Sequence, residues 1–374
     1  MKKLGFGMMR LPLADPKDQT QVDCKQAQAM MDTFLSRGFT YVDTAYFYHG
    51  RTSEQVVRDI LTSSYPRQSY ILADKMPLSI LKDKGTAEEQ AAVFAGQLEK
   101  CGVDYFDRYL LHCVNVENYK TAQRLDTFGF LMKKREEGKL RHLGFSFHDK
   151  ADLLEQILTE HPETEFVQLQ LNYLDWEDER IQSRKCYETA VRHGKKVVVM
   201  EPVKGGRLAK LPEEAEKLLR AVHPDWSPAS WAIRFAASLP EVEMVLSGMS
   251  DMAQMEENTS FMDDVQPLTE EEKALLAQVA EILSAMPAVE CTACRYCVDG
   301  CPRNIPIPDY FALYNGDQTA LRQGLPVRKE AYQRLAETGG KASSCISCRQ
   351  CEHACPQQLK VVEWLSRVAK TYEG

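Results

Sequence analysis

Four residues in the first third of the chain carry the groups that a proton transfer to a carbonyl oxygen requires. Asp43 ends the run Thr-Tyr-Val-Asp, and Tyr48 follows five residues later in a loop that closes on Gly50. Lys75 ends Ser-Tyr-Ile-Leu-Ala-Asp-Lys, and His112 ends Tyr-Leu-Leu-His. A free phenol titrates near about 10, so it is a poor acid at neutral pH unless a cation favours its phenolate. An ammonium beside Tyr48 would lower the phenol pKa, and Asp43 would hold that ammonium in place. His112 would hydrogen-bond the substrate oxygen, and Tyr48 would act as general acid to a carbonyl receiving hydride. Taken singly, each has a plainer reading: Asp43 as a cap or turn former, Lys75 as a solvated lysine, His112 as a core histidine. Four such groups at the ends of successive strand-like runs point to chemistry.

The second concentration of reactive groups is cysteine. Eight of the twelve cysteines fall into two cassettes. Residues 291–302 read Cys-Thr-Ala-Cys-Arg-Tyr-Cys-Val-Asp-Gly-Cys-Pro, and residues 345–356 read Cys-Ile-Ser-Cys-Arg-Gln-Cys-Glu-His-Ala-Cys-Pro. Both match the C-x2-C-x2-C-x3-C-P run of bacterial-type ferredoxins. Three thiolates at this spacing wrap one face of a cubane, and the fourth can reach the other cluster. Proline ends the run without a competing backbone donor. Zinc ribbons pair two C-x2-C hooks and have no use for a third and fourth cysteine at this spacing. Cys24, Cys101, Cys113 and Cys186 are scattered and read as packing residues, with a reactive thiol at Cys113 beside His112 as the alternative.

The elements that must position these groups alternate in type. Leu4–Met9 reads as a first strand. The next helix opens on a capping box from Asp23 to Gln26 and carries Ala27, Met30, Met31, Phe34 and Leu35 on one face. Gly38 stops it and the Thr40 strand follows. Further strands are expected from Ser69 and Tyr105, then over Leu140–Phe147, Phe166–Leu171, Lys196–Met200 and Glu243–Leu246. Helices are expected from Ser53 and Ala87, over Tyr119–Glu137, from Asp152 and Arg180, within Pro212–Leu239, and from Asp251. Eight strand–helix units over about 260 residues predict an α/β fold, a parallel (β/α)8 TIM barrel. An open doubly wound sheet is the competing arrangement. The barrel is expected over 1–264, a connecting helix over 265–286 (helical from Glu270 to Ala285, then Pro287), and a cysteine-bearing domain over 287–374. That domain has helix-like stretches around Tyr310 and Glu330.

Composition narrows the function classes. Lys plus Arg is 46 against 54 for Asp plus Glu, a net charge of −8. A nucleic-acid binder would want a basic face, so none is expected. No apolar run approaches the ~18 residues of a membrane span, and the short apolar patch after Met1-Lys2-Lys3 is broken by Arg10. The reading is a cytoplasmic protein, where disulfides are unlikely.

The set Asp43, Tyr48, Lys75 and His112, with its surroundings over about residues 4–262, resembles the aldo-keto reductases. The resemblance implies an NAD(P)H-dependent carbonyl reductase on a β/α barrel, with a small aldehyde or ketone as substrate. It implies cofactor contacts at Gly7 and Met8 after the first strand, Ser146, Gln168, Met200, Pro202 and Val203. Gly248, Ser250, Gln254, Glu257 and Asn258 would hold the adenosine phosphate end, in keeping with phosphate sites after strands seven and eight of such barrels. Gly205-Gly206-Arg207 reads as a cofactor-facing loop, or else as a plain turn. Three departures stand out: Met200 where many members carry an aromatic ring, Phe147 after the carboxamide-binding serine, and no Lys or Arg in the loop after strand eight. NADP(H) and NAD(H) therefore both remain open.

Some aldo-keto reductases carry a ferredoxin-type tail, and this chain is similar to that branch. The tail is expected to be a small, mainly helical ferredoxin-like domain holding two 4Fe-4S clusters. The crossing usual in such domains implies Cys291, Cys294, Cys297 and Cys355 around one cluster, with Cys345, Cys348, Cys351 and Cys301 around the other. Nicotinamides move two electrons at once and clusters move one, so two readings follow. In the first, the barrel reduces a carbonyl and the clusters are structural or regulatory. In the second, a flavin (FMN) at the barrel mouth splits electron pairs, making an electron-transfer oxidoreductase with a redox partner protein at the ferredoxin domain. A vestigial redox sensor is a third class, opposed by the intact tetrad. The oligomeric state is not readable from the sequence.

Overall fold

The computed structural model of the protein describes residues 2–16, 18–286 and 288–374. Eight strands close a parallel barrel in chain order. They are β1 (Leu4–Gly7), β2 (Tyr41–Asp43), β3 (Ile71–Met76), β4 (Phe106–Val114), β5 (Leu140–Phe147), β6 (Phe166–Gln170), β7 (Lys196–Met200) and β8 (Val242–Ser247). Pairing of β1 with both β2 and β8 closes the ring and removes the open sheet. Two local expectations are refined. The helix expected over Tyr119–Glu137 is two helices, Val116–Arg124 and Thr127–Glu136, because Asp126 takes a left-handed φ of 47° between them. The helix expected from Arg180 starts at Ser183, after Gln182 takes a φ of 59°.

Strand periodicity explains why the barrel can carry a site. Side chains alternate in and out, so residues two apart along a strand stack in successive interior layers. An apolar cluster inside the barrel comprises Tyr41, Ala73, Leu110, Phe166, Val198, Met244 and Leu246. At Gly144 a Cβ would lie 2.7 Å from the Phe166 ring, so the aromatic takes the volume that β5 leaves open. Two residues further along these strands come Asp43, Lys75, His112, Ser146, Gln168 and Met200. The polar layer rests on a packed floor.

The chain divides into two compact units. The first holds the barrel and takes in residues up to Val203 together with Ala229–Lys273; the second comprises Lys204–Pro228 and Ala274–Gly374. In the second, helices Ile307–Gly316, Lys329–Thr338 and Val361–Tyr372 pack around Tyr310, Phe311, Tyr332, Leu365 and Val368. The Tyr332 ring stacks between Tyr310 at 4.7 Å and Tyr372 at 5.2 Å between centroids. The segment after β7 belongs to this unit. Arg207 donates to the Glu290 carboxylate at 2.8 Å and to the Leu283 carbonyl at 3.3 Å. Gly205, with a φ of 63°, lies so close to Thr292 that a Cβ would sit 2.7 Å from its Cα. The helix Glu270–Ser284 leads toward the cassettes, and Pro287, expected to follow it, lies outside the described residues.

Candidate active site and cysteine sites

Lys75 is fully buried on β3 with its ammonium 2.5 Å from Asp43 Oδ1 and 2.8 Å from the Thr44 carbonyl oxygen. The same nitrogen lies 3.4 Å from Tyr48 Oη. Tyr48 reaches this point because the chain turns sharply after β2, with His49 and Gly50 both at positive φ. His112 completes the group from β4, its ring edge-on to Tyr48 at 6.2 Å between centroids. Beyond it the β4–β5 register slips, and Cys113 adopts a φ of 57°. Such a bulge at a barrel rim re-aims a side chain. The Cys113 N–H, displaced from the ladder, donates to Ser146 Oγ at 2.8 Å.

The electrostatics follow from depth. Burial pushes the Tyr48 phenol up to about 12, while Lys75 pulls the other way and Asp43 adds to the rise. The expectation of a net lowering is therefore corrected: the ammonium acts in the direction foreseen, but desolvation of the phenolate is larger. Burial also works against the charge on Lys75, yet Asp43 and Tyr48 outweigh it and its pKa is raised. Asp43 is pushed up by burial against the pull of Lys75. His112 is held well below its ordinary value by burial, then by Lys75 and His148, so it is a neutral imidazole.

A network outside the barrel interior, which sequence reading missed, holds β3 in place. Gln97 donates to Glu54 at 2.8 Å, to Asp74 at 3.2 Å and to the Lys75 carbonyl at 3.0 Å. Asp74 in turn accepts from the Lys75 N–H at 2.8 Å. Two carboxylates on helix and strand, 20 positions apart in sequence, give no local signal of meeting.

The cofactor residues named from the resemblance distribute as follows. Gly7 ends β1 and Met8 is buried just after it. Gln168 places Nε2 3.6 Å from Met200 Sδ, while its Oε1 has no hydrogen-bond partner among the described residues. Ser146 accepts from Cys113 and keeps its own proton to donate. An acceptor on Gln168 beside a donor on Ser146 is the donor set a nicotinamide carboxamide needs. After β8, Asp251 caps the helix Met252–Phe261 by accepting from Gln254 N–H, and Ser250 N–H donates to Gln254 Oε1 at 2.9 Å. Asn258 is buried and donates to Ser247 at 3.0 Å, whereas Gly248, Gln254 and Glu257 are exposed. Arg10, missed as a site residue, packs its stem on Gly248, where a Cβ would lie 2.8 Å from its Cγ. It brings a cation toward a loop that has none of its own. Pro202 is buried in the first unit and Val203 ends this stretch of it; Gly205 belongs to the second unit, against Thr292.

In the second unit the cysteines surround two cavities. One is lined by Cys345, Cys348, Cys351 and Cys301 with Ile305, Ile307 and Leu365. The other is lined by Cys291, Cys294, Cys297 and Cys355 with Phe311, Leu359 and Val361. Each therefore draws three thiols from one cassette and the fourth from the other. None of the twelve cysteines is joined in a disulfide. Burial, then neighbouring cysteines, push the Cys297 thiol up to about 12 and that of Cys351 up to about 11.

Comparison with known proteins gives a family match for each part of the chain. The Aldo/keto reductase family model matches residues 3–281, and the 4Fe-4S dicluster domain model matches residues 290–360. An aldo-keto reductase of Mycolicibacterium smegmatis is 32% identical over 128 residues, 34% of this chain and 42% of that protein. The chain thus spans about two-fifths of the length of the first curated relatives it matches. Among solved structures, the holo form of an aldo-keto reductase from Bacillus halodurans superposes with a TM-score of 0.57 at 24% identity, over 74% of this chain and 91% of that one. An aldo-keto reductase from Klebsiella pneumoniae in complex with NADPH gives 0.56 at 18% identity, over 74% and 90%. At such identities the structural likeness speaks for the fold. Among the described residues no helix is long and apolar enough to cross a membrane.

Proposed function

Since the chain belongs to the aldo/keto reductase family and is an oxidoreductase with a 4Fe-4S dicluster domain, we propose that it reduces a small aldehyde or ketone with Tyr48 as general acid. The observation that carries this reading is the 3.4 Å approach of the Lys75 ammonium to Tyr48 Oη, with Asp43 holding the same nitrogen. A nicotinamide held at Ser146 and Gln168 would, when bound, supply hydride for the carbonyl carbon. Tyr48 donates its proton to the carbonyl oxygen, and Lys75 stabilises the phenolate left behind. Asp43 and the Thr44 carbonyl fix Lys75 so that it pays no reorganisation cost as the phenolate forms. Neutral His112 hydrogen-bonds the substrate oxygen and orients it. Ser146 and Gln168 would hold the carboxamide, a pairing that favours nicotinamide over the flavin alternative. Arg10 beside Gly248, together with the NADPH complex of the Klebsiella pneumoniae relative, supports a 2′-phosphorylated cofactor. The two cavities, each with four cysteines, support two 4Fe-4S clusters with crossed ligation. The reductase would occupy 1–264 and the cluster domain 287–374, joined by 265–286, with a redox partner protein at the cluster domain and a cytoplasmic setting.

The direct test is Tyr48→Phe in holoprotein whose iron content and fold are first verified. Reduction of a test aldehyde by NADPH should fall by at least about a hundredfold. Retained turnover would remove Tyr48 from the role.

A further inference from the structure

The two cysteine sites of the second unit are not equivalent in their surroundings. Around Cys291 the chain is covered. Glu290, one residue before it, is met by Arg207 at 2.8 Å and by the buried Lys204 at 3.8 Å. Gly205 packs against the buried Thr292, and Arg295 is paired with Asp309 at 3.1 Å. The site of Cys345, Cys348, Cys351 and Cys301 is open by contrast. Cys348 is exposed, and Ile346, held between two cassette cysteines, is 52% exposed. The charged residues lining this cavity are Arg303 and Arg349, both exposed, and no carboxylate lines it. The Glu352 carboxylate nearby stands 3.9 Å from Arg349 but turns inward to accept the Val362 N–H at 3.0 Å.

We propose that the rim formed by Ile346, Cys348, Arg303 and Arg349 is the docking face for a small acidic one-electron carrier protein. The face rests on the two-cluster reading above and gives it a direction, with the open site as the port and the covered site as the inner one. An apolar centre flanked by cations is the pattern by which a weak electron-transfer encounter gains both area and steering. The overall charge of −8 makes the local sign informative, because an acidic carrier is repelled elsewhere and attracted here. In the transfer the carrier loses one electron and the cluster of this site gains it; no bond forms or breaks, and no proton is required.

The experiment uses the full chain with its clusters in place, reduced anaerobically in a stopped-flow by reduced flavodoxin as the acidic carrier. Reduced methyl viologen, a small cation, is the control. The wild-type rate with flavodoxin should fall as salt is raised. Arg303→Glu/Arg349→Glu should lower it more than tenfold at low salt, with methyl viologen reduction and the EPR signals of both clusters kept. Should the double variant lose iron, Arg303→Glu alone, outside the Cys345–Cys351 run, carries the same test. Equal flavodoxin rates in wild type and variant, with cluster signals intact, overturn the docking face alone. A wild-type protein without two-cluster signals overturns the reading beneath it, and the face with it.

Discussion

At the scale of the residue, Tyr48 sets a competition between burial and charge. The phenol is pushed up to about 12, so it holds its proton throughout the neutral range. Neutral His112 removes the usual histidine limb near 6.5. The rate of carbonyl reduction should therefore be flat between about pH 6 and 9 and fall only in strong alkali, as Tyr48 loses its proton. A limb near 6.5 in the pH profile of kcat/KM would refute the neutral assignment. Lys75→Met leaves Asp43 buried without its cation, so it should cost about 3–5 kcal/mol of stability as well as activity, read by thermal melts and turnover. His148 supplies a signed stability effect. Burial lowers its pKa from 6.5 to about 4, against a hydrogen bond with Gln170 that raises it. A depressed histidine contributes stability in full above 6.5 and loses it as pH falls toward 4, because only the unfolded chain takes up the proton. Melts at pH 7 and pH 5 should show the drop, and His148→Gln should reduce it without abolishing it, because His112 is held down in the same way.

At the scale of the element, alternation along the strands and the irregularity at β4 are separate matters. The strands were legible because a short continuous buried run is written locally: Leu140–Phe147 and Lys196–Met200 each contain such a run. The slip after Leu111 was not legible, since only the partner strand reveals that Cys113 stands out of register and needs Ser146 as acceptor. Likewise nothing near Asp126 announces the break between two helices; its left-handed backbone is tolerable for Asp. Gly144 shows the reverse dependence. Its place is taken by the Phe166 ring, so Gly144→Ala should destabilise the barrel by roughly 1–3 kcal/mol, measured by urea unfolding. No loss would mean that both the ring and the Phe166 carbonyl oxygen, 2.5 Å from that Cβ, can give way.

At the scale of the whole molecule, the cassettes separate what is local from what is not. Crossed ligation predicts that Cys355→Ala removes the cluster of the Cys291 cassette and leaves the one beside which Cys355 stands in sequence. Iron analysis should show about half the metal lost, and EPR should identify which signal goes. Loss of the Cys345 signal instead would uncross the ligands. The sequence by itself determined the family of chemistry: the spacing of cysteines within each cassette, the carboxylate, phenol, amine and imidazole at successive strand ends, and the eightfold alternation. Those are fixed over a few residues by covalent geometry and by the two periods of secondary structure. Only the tertiary structure decided that Tyr48 is pushed up rather than down, that Arg10 comes to Gly248, and that the segment Lys204–Pro228 packs with the cysteine unit. Desolvation and proximity depend on what distant segments bring to a residue, and no spacing along the chain records that.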